Sequence, residues 1–237
     1  MTKDDITVLY EDNHLLVVVK PQNVPVQEDS SGDKDLLNIL KEYIKEKYNK
    51  PGDAYLGLVH RLDRPTGGVM VFARTSKAAA RLQECMKEGE FEKRYFAVVC
   101  GEVKQKRQKL VNYLMKNPAS NTVICVPSAT EGAKRAELDY RVLAESHGVT
   151  LVDIALITGR GHQARVQMSE MGNPIFGDAR YGGNKLAKGH NLALWAAELK
   201  FLHPVTREKL VFRVFPPDET PWNLFDMDLY LNINIQN

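Results

Sequence analysis

The chain reads as an α+β protein built largely on antiparallel sheet. Three observations predict this. Strand-like segments dominate from Arg94 onward, those strands do not alternate with crossover helices as a doubly wound parallel sheet requires, and the clearest helical patterns fall before residue 90. With 237 residues, 43% of them hydrophobic, the chain is long enough to bury one sizeable core or two fused lobes.

The elements follow in order. Ile6 to Tyr10 and His14 to Lys20 read as strands, and the turn-forming Glu11-Asp12-Asn13 between them predicts a hairpin. Leu36, Leu37, Ile39, Leu40, Tyr43 and Ile44 recur at helical spacing, leaving Lys41, Glu42, Lys45 and Glu46 to face water. The apolar run Val69 to Ala73 predicts a strand. Ser76 is an N-cap for a second helix, and Gly89 closes it. Further strands are expected over Tyr95 to Val99, Ala136 to Leu143, Thr150 to Ile157, Leu192 to Phe201 and Lys209 to Phe215, with one short helix from Gln163 to Met171.

Composition narrows the function classes. Net charge is +2, and the tail after Arg213 carries Asp218, Glu219, Asp226 and Asp228 with no Lys or Arg, so setting those four acids aside leaves +6 on residues 1–213. A basic body of this kind suits a polyanion. Lys104, Lys106, Arg107 and Lys109 read first as a solvated loop that also has the charge to hold a nucleic-acid backbone. The acidic tail is expected to pack through Trp222, Leu224, Phe225, Leu229 and Tyr230. Cys85, Cys100 and Cys125 are odd in number and lack zinc spacing, which fits structural thiols in the cytoplasm. Asp4, Asp5, Glu11 and Asp12 interrupt the opening, and no later apolar run has the length of a bilayer span, so neither secretion nor membrane insertion is expected.

Four segments stand out chemically. His60-Arg61-Leu62-Asp63-Arg64-Pro65-Thr66-Gly67-Gly68 sets one carboxylate among two arginines and a histidine at the lip of a strand, with glycines that admit close backbone approach. Lys93-Arg94-Tyr95-Phe96 puts a tyrosine beside basic residues, with Tyr95, Ala97 and Val99 on one strand face. In Thr158-Gly159-Arg160-Gly161-His162-Gln163-Ala164-Arg165 a strand runs through a glycine-flanked turn into a helix, where Arg160, Arg165 and helix-start amides would receive a phosphate. Gly177-Asp178-Ala179-Arg180-Tyr181-Gly182-Gly183 is turn-rich. Each segment also has a plainer reading: Asp63 in a surface ion pair, Tyr95 as a packing residue, Asp178 capping its own turn.

Taken together and in this order, the four segments resemble the RluA-type pseudouridine synthase family, RNA-modifying isomerases. The resemblance covers nearly the whole chain: Leu15 to Pro21 is similar to the first motif of the family, His60 to Gly68 to its catalytic motif, Lys93 to Gly101 to its tyrosine motif. Thr158 to Gly172 with Gly177 to Gly182 is similar to the third, and Leu199 to Thr206 to the closing strands. The family fold is an α+β catalytic fold, a largely antiparallel mixed sheet in two fused lobes flanked by helices around a central basic cleft. The resemblance implies one catalytic domain over residues 1–237, with a core at about 6–216 and a tail at 217–237, and no separate N-terminal RNA-binding module.

It also implies roles. Asp63 corresponds to the nucleophile, Tyr95 to the tyrosine that stacks on the target base, Arg160 to the arginine paired with the catalytic carboxylate, and Arg61 to the arginine that fills the space of a flipped base. An Asp beside a guanidinium stays ionised, as a nucleophile must. Lys20, His60, Arg64, Lys93, His162, Gln163, Arg165, Arg180 and Tyr181 are the further expected RNA-binding residues. The expected partner is ribosomal or transfer RNA and the expected state a cytoplasmic monomer, with no metal and no cofactor. The chain departs from the family pattern at Asn23, Gly67, Ala164 and Gln167. Two other readings compete: a catalytically silent RNA-binding or ribosome-assembly protein of the same fold, and a metal-dependent hydrolase using His60, Asp63 and His162, which lacks ligand spacing.

Overall fold

The computed structural model describes residues 2, 5–49, 51–117, 120, 122–182 and 189–231. The chain divides into two units, Met1–Glu92 with Glu198–Val214, and Lys93–Ala197 with Phe215–Asn237.

In the first unit the expected hairpin forms. β1 (Thr7–Glu11) pairs antiparallel with β2 (Leu15–Lys20), and the Asp12 carboxylate closes the turn by accepting the His14 and Leu15 amides, each at 2.7 Å. α1 (Leu36–Lys47) buries the predicted stripe of Leu36, Ile39, Leu40 and Ile44 behind an Asp35 N-cap. β3 (Gly57–Leu58) and β2 both pair antiparallel with β4 (Gly67–Ala73), whose seven residues are all buried. α2 (Ser76–Lys87) starts one residue earlier than the sequence suggested: Thr75, extended at φ −139°, is the N-cap and accepts the Ala78 amide, so Ser76 is the first helical residue. Gly89 closes it as expected, taking a left-handed φ of 78° that lets the Glu90 amide reach back to the Cys85 carbonyl at 2.9 Å.

The second unit carries an antiparallel run of three expected strands and two unexpected ones. β5 (Glu92–Cys100), β6 (Arg107–Asn117), β7 (Thr122–Val126), β8 (Lys134–Ser146) and β9 (Val149–Leu156) lie in the order β5-β9-β8-β6-β7, each neighbouring pair antiparallel. Strands β6 and β7 escaped the sequence reading. Arg107 and Lys109 belong to no loop: they are the outward positions at the start of β6, while Leu110 and Leu114 point to the other face. α3 (Gln163–Glu170) packs against β6 and β7, with Val166 joining Leu114 and Ala136 in a small core flanked by Val123, Cys125 and Tyr181.

β10 (Leu194–Leu202) contributes residues to each unit, and its last five pair antiparallel with β11 (Lys209–Arg213). The tail is anchored mainly by Trp222, which is 2% exposed at the start of a short 3-10 turn. Leu224, Phe225 and Tyr230 are half-buried, whereas Leu229 is 56% exposed, so the expected packing of Leu229 is corrected: α4 (Asp228–Leu231) is a single turn too short to bury one face. Residues 232–237 of the tail lie outside the described residues. Among the described residues no helix is long and apolar enough to cross a membrane.

Candidate active site

Asp63 sits on the turn that leads into β4, and its backbone carbonyl accepts the Thr66 amide at 2.9 Å. Beneath this turn lies the most deeply buried charge of the unit. Lys20, the last residue of β2 and fully buried, donates from Nζ to the carbonyls of Thr66 at 2.7 Å, Pro21 at 2.9 Å and Arg64 at 3.0 Å. Burial pushes its ammonium down to about 7, the Asp63 charge pulls it back up, and the Arg64 charge lowers it. Three carbonyl acceptors need three N–H donors, which only the protonated form has. Up to about pH 7 the cation is the form present, and it braces the Asp63 turn from below.

Arg64 braces the same turn from its rim. Its guanidinium donates to the Asn23 carbonyl at 3.1 Å and to Ser31 Oγ at 2.9 Å, and pairs with Asp33 and, at 3.7 Å, with Asp29. The Arg64 hydrogen bond in turn holds the Asp33 carboxyl below its usual range. Asn23 takes φ 64°, a left-handed conformation that Asn tolerates and that explains why Gly is not required there. Gly68, by contrast, has φ 121°, a region essentially confined to glycine, and stands opposite Lys20 in the β2–β4 register.

His60 is buried, and its Nε2 accepts the Val71 amide at 3.1 Å while the ring meets Phe91 edge-on at 5.5 Å. Nε2 is therefore not offered to a metal or a substrate. Arg61 is exposed, and among the described residues nothing holds its guanidinium.

The second unit gathers the remaining candidates. Tyr95 is 6% exposed on β5 opposite Ile154 of β9, on the face it shares with Lys93, Ala97 and Val99. Arg94 turns to the other face, pairs with Asp153 and lies 5.3 Å over the Phe96 ring.

The turn after β9 is built by one side chain. Gln163 Oε1 accepts both the Arg160 amide at 3.0 Å and the Thr158 hydroxyl at 2.7 Å, while its Nε2 donates to the Glu137 carbonyl at 2.9 Å. With the turn held this way, Arg160 projects as an exposed side chain whose Nε donates to the Arg135 carbonyl at 3.0 Å. His162 takes φ 55° and joins Nδ1 to Tyr181 Oη at 2.7 Å, and that oxygen also accepts the Val123 amide at 2.9 Å. Arg165, read from the sequence as a phosphate ligand, is instead buried and bidentate on Asp178, so it faces a carboxylate and not solvent. Asp178 also caps its own turn, accepting the Arg180 amide at 3.0 Å and the Tyr181 amide at 3.1 Å. Arg180 is exposed, and Gly183 lies outside the described residues.

The sequence thus marks a group in each unit: Lys20, His60, Arg61, Asp63 and Arg64 in the first, and Lys93, Tyr95, Arg160, His162, Gln163, Arg165, Arg180 and Tyr181 in the second. A family model described as RNA pseudouridylate synthase matches residues 14–170, from the start of β2 through the end of α3. The chain belongs to that family. Among similar proteins, the ribosomal large subunit pseudouridine synthase C of Vibrio vulnificus is 34% identical over 209 residues, 86% of this chain and 63% of the relative, so this chain spans under two thirds of that protein. The ribosomal large subunit pseudouridine synthase D of Zymomonas mobilis is 33% identical over 240 residues, 97% of this chain and 74% of the relative. The solved structure of human RNA pseudouridylate synthase domain containing 4 shares the fold at a TM-score of 0.74 and 25% identity, covering 89% of this chain and 88% of that one.

Within the pseudouridylate synthase frame, the residues that the sequence reading missed are those that hold others in place. Asp29, Ser31 and Asp33 fix Arg64 from 31 or more residues away, and nothing local in the sequence couples them. One departure from the family pattern has a packing account: Gln167 is buried and donates from Nε2 to Asn112 Oδ1 at 2.8 Å, tying α3 to β6.

Proposed function

We propose that this chain is an RNA pseudouridine synthase that isomerises uridine to pseudouridine in ribosomal or transfer RNA, with Asp63 as the group that acts on the target nucleotide. The observation that carries this reading is the support given to Asp63: a half-buried carboxylate on a turn held from below by the buried Lys20 ammonium and at its rim by Arg64. Pre-organisation of this order is what a positioned nucleophile needs.

In the reaction the bond between ribose C1′ and uracil N1 breaks and a bond from C1′ to C5 forms. A proton leaves C5 and one is taken up at N1, so nothing is oxidised or reduced and no energy source is consumed. Three routes start from an ionised Asp63: attack on C1′, attack on the uracil ring, or removal of a ribose proton. All require the base outside its helix, which gives Tyr95 the role of stacking surface, Arg61 that of the side chain entering the vacated space, and Arg160 that of the partner of the carboxylate. Lysine and arginine contacts to phosphates supply affinity. The three free cysteines fit a cytoplasmic setting.

The test is a map of pseudouridines across total RNA from cells with and without this protein, with Asp63→Asn as rescue control. One or more sites lost on deletion, restored by the unaltered protein and not by the Asn form, is the expected result. If no ribosomal or transfer RNA site is lost, or if the Asn form restores it, the proposal is overturned in favour of a binding role.

A further inference from the structure

We propose that Lys93 is the seat of an RNA backbone phosphate beside Tyr95, and that residue 159 is a glycine because a side chain there would take the space of the Lys93 ammonium. The proposal rests on the reading of the chain as an RNA-modifying enzyme and names a contact within that site.

Gly159 has no conformational need to be glycine, since its φ is not in the left-handed region. A Cβ built at Gly159 would stand 3.1 Å from Lys93 Nζ, so the ammonium would have to shift by a few tenths of an ångström, and no other atom beyond its chain neighbours lies within 4 Å. Gly161, two residues on, is equally unforced in φ and has open space around it. The glycine at 159 therefore fits against one atom, the Lys93 ammonium.

Among the described residues, that ammonium differs from the other cations of its unit that are at least partly buried: Arg165 holds Asp178, and Arg94 and Arg141 hold Asp153. Lys93 is half-buried, yet among the described residues it has neither a hydrogen bond nor an ion pair. Burial alone pushes its pKa down, with no neighbouring charge acting on it. A partly desolvated cation without an anion is unfavourable until an anion arrives. On RNA that anion is a phosphodiester, a strong acceptor for a lysine point charge. Lys93 and Tyr95 are two residues apart on one strand face, about 7 Å along β5, which sets the anion seat next to the ring proposed to stack on the target base.

The experiment measures binding of labelled oligo(U) of 20 nucleotides against KCl concentration, in an Asp63→Asn background so that no turnover intervenes. Lys93→Met is expected to make the slope of log Kobs against log salt shallower by about 0.7, the loss of one single-strand phosphate contact, while Lys93→Arg keeps the original slope. Gly159→Ala is expected to shift the slope as Lys93→Met does, with no further change in the double variant. Gly161→Ala combined with Lys93→Met is expected to be additive. An unchanged slope in Lys93→Met overturns the proposal, as does weaker binding at constant slope, which would report a lost fold contact and not a lost phosphate. So does absence of oligo(U) binding by the Asp63→Asn parent at low salt. A failure of the unaltered protein to make pseudouridine, with these slopes as expected, would overturn the catalytic reading and leave the phosphate seat standing.

Discussion

Arg165 and Asp178 meet as a bidentate ion pair, Nε to Oδ2 and Nη2 to Oδ1 both at 2.8 Å, with the carboxylate fully buried. The pair joins α3 to the turn at 177–182, and the guanidinium also lies 5.1 Å over the Tyr181 ring. A motif that looks basic in the sequence is thus partly neutralised internally. Among the described residues of the segments 158–165 and 177–183, Arg160 and Arg180 are exposed.

Removing one partner of such a pair leaves the other buried and uncompensated. Arg165→Ala is expected to destabilise the fold by about 3–5 kcal/mol. Burial raises the Asp178 carboxyl, but the Arg165 hydrogen bond and charge outweigh it and hold the group below its usual range. Its stabilising effect is therefore present above the unfolded carboxyl value of about 3.9 and is lost as pH falls toward the folded value. Urea unfolding at neutral pH and between pH 4 and 2 checks both points. An Arg165→Ala protein as stable as the parent at neutral pH would show that the pair is not what holds α3 to this turn.

Lys20 gives a pH dependence of the same sign in a higher window. Its folded value is about 7 and its unfolded value about 10.4, so between them the unfolded chain binds more protons and stability rises with pH. Lys20→Met abolishes that rise and leaves the carbonyls of Pro21, Arg64 and Thr66 without their donor, at about 1–3 kcal/mol for each that stays dry. The difference in unfolding free energy between parent and variant, followed from pH 7 to 10, is expected to widen with pH. Parallel curves would mean that Lys20 titrates as an ordinary surface amine.

Gly177 is a third test. It takes φ 76°, and a Cβ there would lie 2.0 Å from the Asn191 carbonyl oxygen, so the backbone itself has to move to admit a methyl group. Gly177→Ala is expected to lower stability by at least about 2 kcal/mol, the left-handed penalty plus the steric overlap. Thermal unfolding of the variant beside Gly161→Ala, where a Cβ meets open space, separates this contact from the general effect of replacing glycine.

Most elements and the four motifs are legible in local sequence. The stripe on α1, the uninterrupted apolar run of β4, the Gly89 stop and the strand alternation placing Tyr95 opposite Arg94 are local: each follows from side-chain periodicity or from one residue's φ preference. The ordered motifs around Asp63, Tyr95 and Arg160 identified the family for the same reason, because each is a short contiguous string.

Which charges are available depends on contacts distant in the chain. Arg64 and Arg165 look alike in the sequence to Arg61 and Lys93, yet the first two are held by Asp33 and Asp178, residues 31 and 13 positions distant, and the latter two are not held by any described residue. Strands β6 and β7 were hidden likewise, since exposed basic residues at the start of a strand and in a loop have one composition and differ only in what pairs with them. Local pattern fixes the direction of a side chain. Whether its charge is neutralised or left for a phosphate depends on partners that folding brings from elsewhere in the chain.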